Sequence, residues 1–269
     1  MKKILLLFIF IYLFIFINNS NAKNTNLSVG MTYNGVIKYK FLEYELPEGE
    51  WEFYNRYFEM FDELPTVRLE CLYFIQKGNV TIKAVYDICE INIGGLAPNQ
   101  IGSFFVHEFR KGKYDSCILR PEYFYTNLFT RGGSSNCFKT RHIDVEKEVY
   151  FPDNPEDVGG RVLLEKYLKK NNLELPKVML YSMSSIGVPS IRDKFITISL
   201  MINPELYGAP DIINAKEERS EYHRDNINKY PIQKKFFRDW TIEQAAKHKE
   251  LEKKMRLKSR HKLNFTDLN

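Results

Sequence analysis

Between residues 35 and 202, apolar and polar positions mostly alternate with a period of two. In GVIKYKFLEYEL, residues 35–46, Ile37, Tyr39 and Phe41 alternate with Lys38 and Lys40, which predicts one strand stopped by Pro47 and Gly49. EWEFYNRYFEMF fits two periods: Trp51 and Phe53 suit a strand, while Trp51, Tyr54, Phe58 and Phe61 suit a helix. Its aromatics read as core, not as a stripe for stacking a ligand. VRLECLYFI (67–75) and VTIKAVYDI (80–88) each present one apolar face, and KGN between them signals a hairpin. Segments 117–129 and 137–150 read as strands around a loop, TRGGSSN. Two more strands flank Gly187–Asp193; the second alternates Ile196, Ile198, Leu200 and Ile202 and stops at Asn203-Pro204.

The period becomes helical in two places. PDNPEDVGGRVLLEKYLKKNN starts at Asp153-Asn154-Pro155, puts Val162, Leu163, Tyr167 and Leu168 on one face, and ends at Lys169-Lys170. Near the C-terminus, Pro231 opens a helix to Trp240, and Thr241-Ile242-Glu243-Gln244 fits a capping box that starts a separate helix over 242–260. Within that last helix, Ile242, Ala245 and Ala246 lie opposite Leu251 and Met255, so no apolar stripe runs its length. The i, i+4 pairs Glu243–Lys247, Glu250–Lys254 and Glu252–Arg256 support it instead. It is expected to stand mostly in solvent, with His248 and His261 facing water. The charged stretch 216–231 reads as a solvated connector. The fold class is α+β: antiparallel sheet or sheets, a few helices packed on one face, and a long charged C-terminal helix.

The first residues fit none of these elements. Lys2 and Lys3 precede fourteen uninterrupted apolar residues, Ile4–Ile17, and Ser20-Asn21-Ala22 supplies small residues for cleavage. That is a secretory signal peptide, its apolar run short of the ~20 residues that span a bilayer. The expected organisation is a signal peptide over 1–22, a loose leader over 23–34 and an α+β core over 35–215. A charged connector and helix over 216–240 and a basic helical extension over 241–269 follow. The mature chain carries no apolar run long enough to span a membrane and is expected in a periplasm or outside the cell.

With 269 residues, 44% of them hydrophobic, the chain has material for a sizeable core. The whole chain carries +5, yet residues 247–262 alone hold eight Lys or Arg against two Glu. The rest of the mature chain is therefore slightly acidic, which argues against a nucleic-acid-binding face. The basic residues Lys253, Lys254, Arg256, Lys258, Arg260 and Lys262 are the candidate binding residues, and their expected partner is an anionic membrane surface or an acidic protein.

Export makes the four cysteines, Cys71, Cys89, Cys117 and Cys137, disulfide candidates. A two-residue turn at Gly78-Asn79 would set Cys71 opposite Tyr86 and turn Cys89 to the other face, so those two could not join. Cys117–Cys137 is the expected bridge, with Cys71 and Cys89 reduced or bonded elsewhere. Standard catalytic, nucleotide and metal motifs are missing, and neither a metal nor a cofactor is expected. The weak catalytic candidates are His142 with Asp144, which share a strand face, and His223 in the connector. Glu221 and Asp225 beside His223 are metal ligands by type, but their charged setting favours a solvated loop. Gly132-Gly133-Ser134-Ser135 reads as a plain turn.

These observations lead to an exported, non-enzymatic binding or envelope-associated protein that works through its basic C-terminal helix. The alternative is a hydrolytic or small-molecule-binding enzyme. Cleavage after Ala22 predicts that N-terminal sequencing of the exported protein starts at Lys23; an intact Met1 would mean a retained anchor.

Overall fold

A computed structural model describes residues 25–40, 42–61, 64–92, 117, 123–131, 134–145, 160–188, 194–210, 214 and 216–255. The expected signal peptide, the helix start at Asp153-Asn154-Pro155 and the basic residues beyond Met255 lie outside them. The described residues form ten strands: β1 Thr32–Tyr33, β2 Val36–Tyr39, β3 Leu42–Glu45, β4 Trp51–Phe61, β5 Leu64–Lys77, β6 Ile82–Asn92, β7 Tyr123–Arg131, β8 Ser134–Asp144, β9 Val178–Val188 and β10 Lys194–Ile202. Among the described residues two helices follow the same numbering: α1 Gly160–Asn171 and α2 Pro231–Lys254. Eight strands make one antiparallel sheet in the order β1-β4-β5-β6-β10-β9-β8-β7, and β2-β3 form a separate hairpin. The α+β class is thus present as a mainly antiparallel sheet with two helices.

Alternation along the strands sends residues to two opposite faces. Leu72, Phe74, Tyr86 and Ile88 pack with Phe237, Trp240, Ala245 and Leu251 of α2 and with the β2–β3 hairpin. Cys71, Tyr73, Ile75 and Val85 pack with Leu164 and Leu168 of α1. The helices therefore cover both faces, not one as expected. A sheet this wide with apolar residues on both sides needs a cover on each. Helix α1 ends where Asn172 takes a positive φ of 52° and the Leu173 N–H bonds back to the Leu168 carbonyl at 3.0 Å, a left-handed C-terminal cap.

Four local expectations change. Residues 35–46 form two strands, because Lys40 adopts φ 55° and the chain reverses so that Tyr39 pairs with Leu42. The ambiguous segment 51–61 is strand β4. TRGGSSN is mostly strand, with β7 reaching Arg131 and β8 starting at Ser134. Residues 25–33, read as a loose leader, are tied in through β1 and through the Thr25 N–H, which donates to the Lys38 carbonyl at 2.8 Å.

The β5–β6 register is the largest correction. Cys71 pairs directly with Cys89, and the two are joined by a disulfide with 4.1 Å between Cα atoms. The turn is longer than two residues. The Gly78 N–H bonds to the Thr81 carbonyl at 2.9 Å, and a side chain at Gly78 would collide with that carbonyl. A bulge between Gln76 and Lys77 then shifts the pairing by one residue, from Lys77↔Ile82 to Gln76↔Ala84, and this brings both cysteines to the face of α1. Cys117–Cys137, the expected bridge, is the second disulfide, 6.0 Å between Cα atoms, packed with Val67, Met183 and Phe195. Non-reducing peptide mapping is expected to recover Cys71–Cys89 and Cys117–Cys137 as the linked pairs; recovery of Cys71 or Cys89 as a free thiol would contradict this register.

Candidate ligand-binding groove

Three elements enclose a concavity of about 450 Å³ on the α2 face of the sheet. Its floor is Tyr86 of β6, Ile198 and Leu200 of β10, and Ser182 and Ser184 of β9. One wall is the β3 edge and the turn after it, Glu43 to Glu48. The opposite wall is one line of α2, with Glu243, Lys247, Glu250 and Lys254 spaced at three or four residues.

The β3 wall is held down by a partly buried polar clamp. Glu70 and Glu90 sit directly opposite each other on β5 and β6. Like charges so placed repel. The hairpin supplies the compensation: Lys40 bonds to Glu70 and lies 3.3 Å from Glu90, Tyr39 donates its O–H to Glu70, and Tyr44 donates to Glu90 at 2.8 Å. These donors hold the Glu70 carboxyl below its usual range despite the burial that opposes this. Each carboxylate pushes its tyrosine upward, after burial itself; Tyr39 and Tyr44 stay neutral donors at any ordinary pH.

The α2 wall is fixed by a polar seam beneath the helix. Asn136, Phe138, Thr140 and His142 fall on one face of β8. Asn136 donates to Glu252, the Thr140 and Thr241 hydroxyls bond at 3.1 Å, and the Phe138 ring packs tilted against that of His248, 5.3 Å between centroids. Thr241 is therefore no cap: it is buried inside a single helix that runs unbroken from Pro231. The basic run is likewise not a free-standing helix as far as Met255. His248 is 1% exposed, and Leu251, Glu252 and Met255 are buried. Of the expected helical pairs Glu243–Lys247 forms, at 2.7 Å. Glu252 turns inward to Asn136 and Lys249, and Lys254 donates to the Glu43 carbonyl at 3.4 Å, reaching across from α2 to β3.

The catalytic candidates lie elsewhere. His142 and Asp144 share a face of β8 as expected, but both His142 nitrogens are without a hydrogen-bond partner among the described residues, so Asp144 does not orient the imidazole. Burial, then Arg141 and His223, lower its pKa to about 3 and make it a poor base. His223 is buried, and its Nδ1 accepts the Asp225 N–H at 3.3 Å. Neither histidine lines the groove. The connector around His223 is core, not solvated loop: Ser220, Glu221 and Tyr222 are each fully buried, and Glu221 accepts bonds from Asn214. No cluster of potential metal ligands occurs among the described residues. Of the basic candidates, Lys253 and Lys254 are exposed in the last turn of α2 and Lys254 lines the groove; Arg256, Lys258, Arg260 and Lys262 lie outside the described residues.

Of the groove's carboxylates, sequence singled out Glu243 and Glu250 only as partners in helical pairs, and Glu43, Glu45 and Glu48 not at all. Their signals were the cluster Glu43, Glu45, Glu48 before and after Pro47, and the i, i+7 repeat of Glu243 and Glu250. Comparison with protein-family models, curated proteins and solved structures finds no match for the chain.

Two buried neutral imidazoles under α2 set an acid limit on the fold. Burial also holds His248 to about 3, against 6.5 for a free imidazole. The unfolded chain protonates these groups first, so stability falls as the pH drops below 6.5 and levels near 3. Asp87 opposes them: burial raises its carboxyl from 3.8 to about 7, so the folded form takes its proton first. Two imidazoles against one carboxyl leave a net loss of about 1.4 kcal/mol per pH unit between pH 6 and 4. Urea denaturation across that range is expected to show this slope, and His142→Leu to flatten it. An unchanged slope in His142→Leu would show that His142 is not held neutral.

Proposed function

We propose that this is an exported binding protein without catalytic activity, and that the groove between α2 and the β2–β3 hairpin receives its ligand. One observation carries the reading: a concavity of about 450 Å³ with an apolar floor and charged walls, within the size range of small-molecule sites. The lining serines Ser182 and Ser184 have no imidazole among the lining residues to activate them, which counts against the hydrolytic alternative. The two disulfides are compatible with an oxidising compartment, in keeping with the signal-peptide pattern of residues 1–22.

The test uses N-phenylnaphthylamine, a neutral apolar dye that brightens when shielded from water. The folded protein is expected to bind it, and Ser184→Trp, which fills the half-buried floor position, to weaken binding by about tenfold or more with an unchanged melting temperature. Equal dye binding by Ser184→Trp would place the ligand elsewhere.

A second contact belongs to the same proposal, that of the basic C-terminal run with an anionic surface or an acidic partner. It is favoured by the exposure of Lys253 and Lys254 in the last turn of α2, which is anchored by buried Leu251 and Met255. Deleting residues 256–269 is expected to abolish salt-sensitive retention on anionic vesicles while leaving dye binding intact; undiminished retention would remove this contact.

A further inference from the structure

We infer that the groove selects an amphipathic cation: a small molecule with an apolar body and a protonated amine or quaternary ammonium group. The inference rests on the groove being the ligand site and adds the chemistry of what it takes.

The walls carry Glu43, Glu45, Glu48, Glu243 and Glu250 against two lysines, a formal charge of −3. That sign is opposite to the +5 of the whole chain, most of which comes from the basic run near the C-terminus. The lysines do not cancel it. Lys247 is engaged at 2.7 Å by Glu243, and Lys254 spends its described bond on a backbone carbonyl, that of Glu43. Among the described residues no ion pair engages Glu45, Glu48 or Glu250. Carboxylates on two facing walls focus a negative potential into the space between them.

Beneath the rim the surface changes character. Tyr86, Ile198, Leu200 and Leu251 offer an apolar bed, interrupted among the described residues by the Ser182 and Ser184 hydroxyls and the Gln244 amide. The hydroxyls of Tyr44 and Tyr86 are directed to Glu90 and to the Glu45 carbonyl, so the tyrosines meet the groove with their rings. Aromatic rings beside carboxylates are the combination that holds alkylated ammonium groups. A ligand with its apolar part on the bed and its cation at the rim satisfies both surfaces. A fatty anion would bury the same chain while facing the carboxylates, and a fully polar cation would leave the bed wet.

The experiment compares decylamine, decanol and decanoate, which share one apolar chain and differ in charge at neutral pH, as competitors of bound N-phenylnaphthylamine. Decylamine is expected to displace the dye at about tenfold lower concentration than decanoate, with decanol between, and 1 M salt to shrink the difference. In the double variant Glu45→Gln, Glu250→Gln the amine preference should vanish while decanol competes as before. Both glutamates are exposed, so the variant is expected to fold as the parent does. Decanoate competing as well as decylamine, or a preference unmoved by the double variant, overturns the cation inference and leaves the groove as a site. Failure of all three to displace bound dye also overturns it. Failure of the dye itself to bind is the separate result that removes the groove reading.

Discussion

Everything in this fold hangs on the pairing of β6 with β10. The chain makes one antiparallel run, β4-β5-β6, and a second, β7-β8-β9-β10. They meet along an unbroken register from Lys194↔Asn92 to Ile202↔Ala84. That seam turns two partial sheets into one surface with two apolar faces. The groove floor straddles it: Tyr86 pairs directly with Leu200 and Ile198 with Ile88, and the serines of β9 lie one strand further on. Its walls come from opposite ends of the chain, the hairpin from the N-terminal side and α2 from the C-terminal side.

What the sequence revealed and what it hid follow from the same physics. Strands β9 and β10 were legible because Ile196 to Ile202 alternate strictly, with Asn203-Pro204 as a stop. Cys117–Cys137 was also legible. The β5–β6 register was not, because the loop over Gly78–Thr81 is held by a backbone bond that no residue type announces, and the one-residue bulge between Gln76 and Lys77 reassigns faces. Lys40 hid the β2–β3 turn, since a positive φ is ordinarily signalled by glycine or asparagine. The groove could not be read at all, being built from segments nearly two hundred residues apart in sequence.

Helix α2 shows how polarity misleads. Counting apolar residues alone, its stripe breaks between Ala245 and Leu251. Counting buried ones, Phe237, Trp240, Thr241, Gln244, Ala245, His248, Leu251, Glu252 and Met255 form one continuous face. The polar members are matched by Asn136 and Thr140 on β8, so the interface specifies a position for the helix along the strand where greasy surfaces would let it slide. The clamp of Glu70 and Glu90 under Lys40 plays the same part for the hairpin. Both walls are thus located by polar contacts, and the apolar surface left between them is free to take a ligand.

The hydrogen bond from Lys254 to the Glu43 carbonyl has a consequence for the order of assembly. A ribosome delivers the hairpin early and α2 about two hundred residues later, so the two walls of the groove meet only after α2 has been made. The hairpin, the β4–β6 run and the β7–β10 run can each form from neighbouring segments. The cleft therefore forms after both runs of strands, and a chain that stops short of α2 has no site to fill.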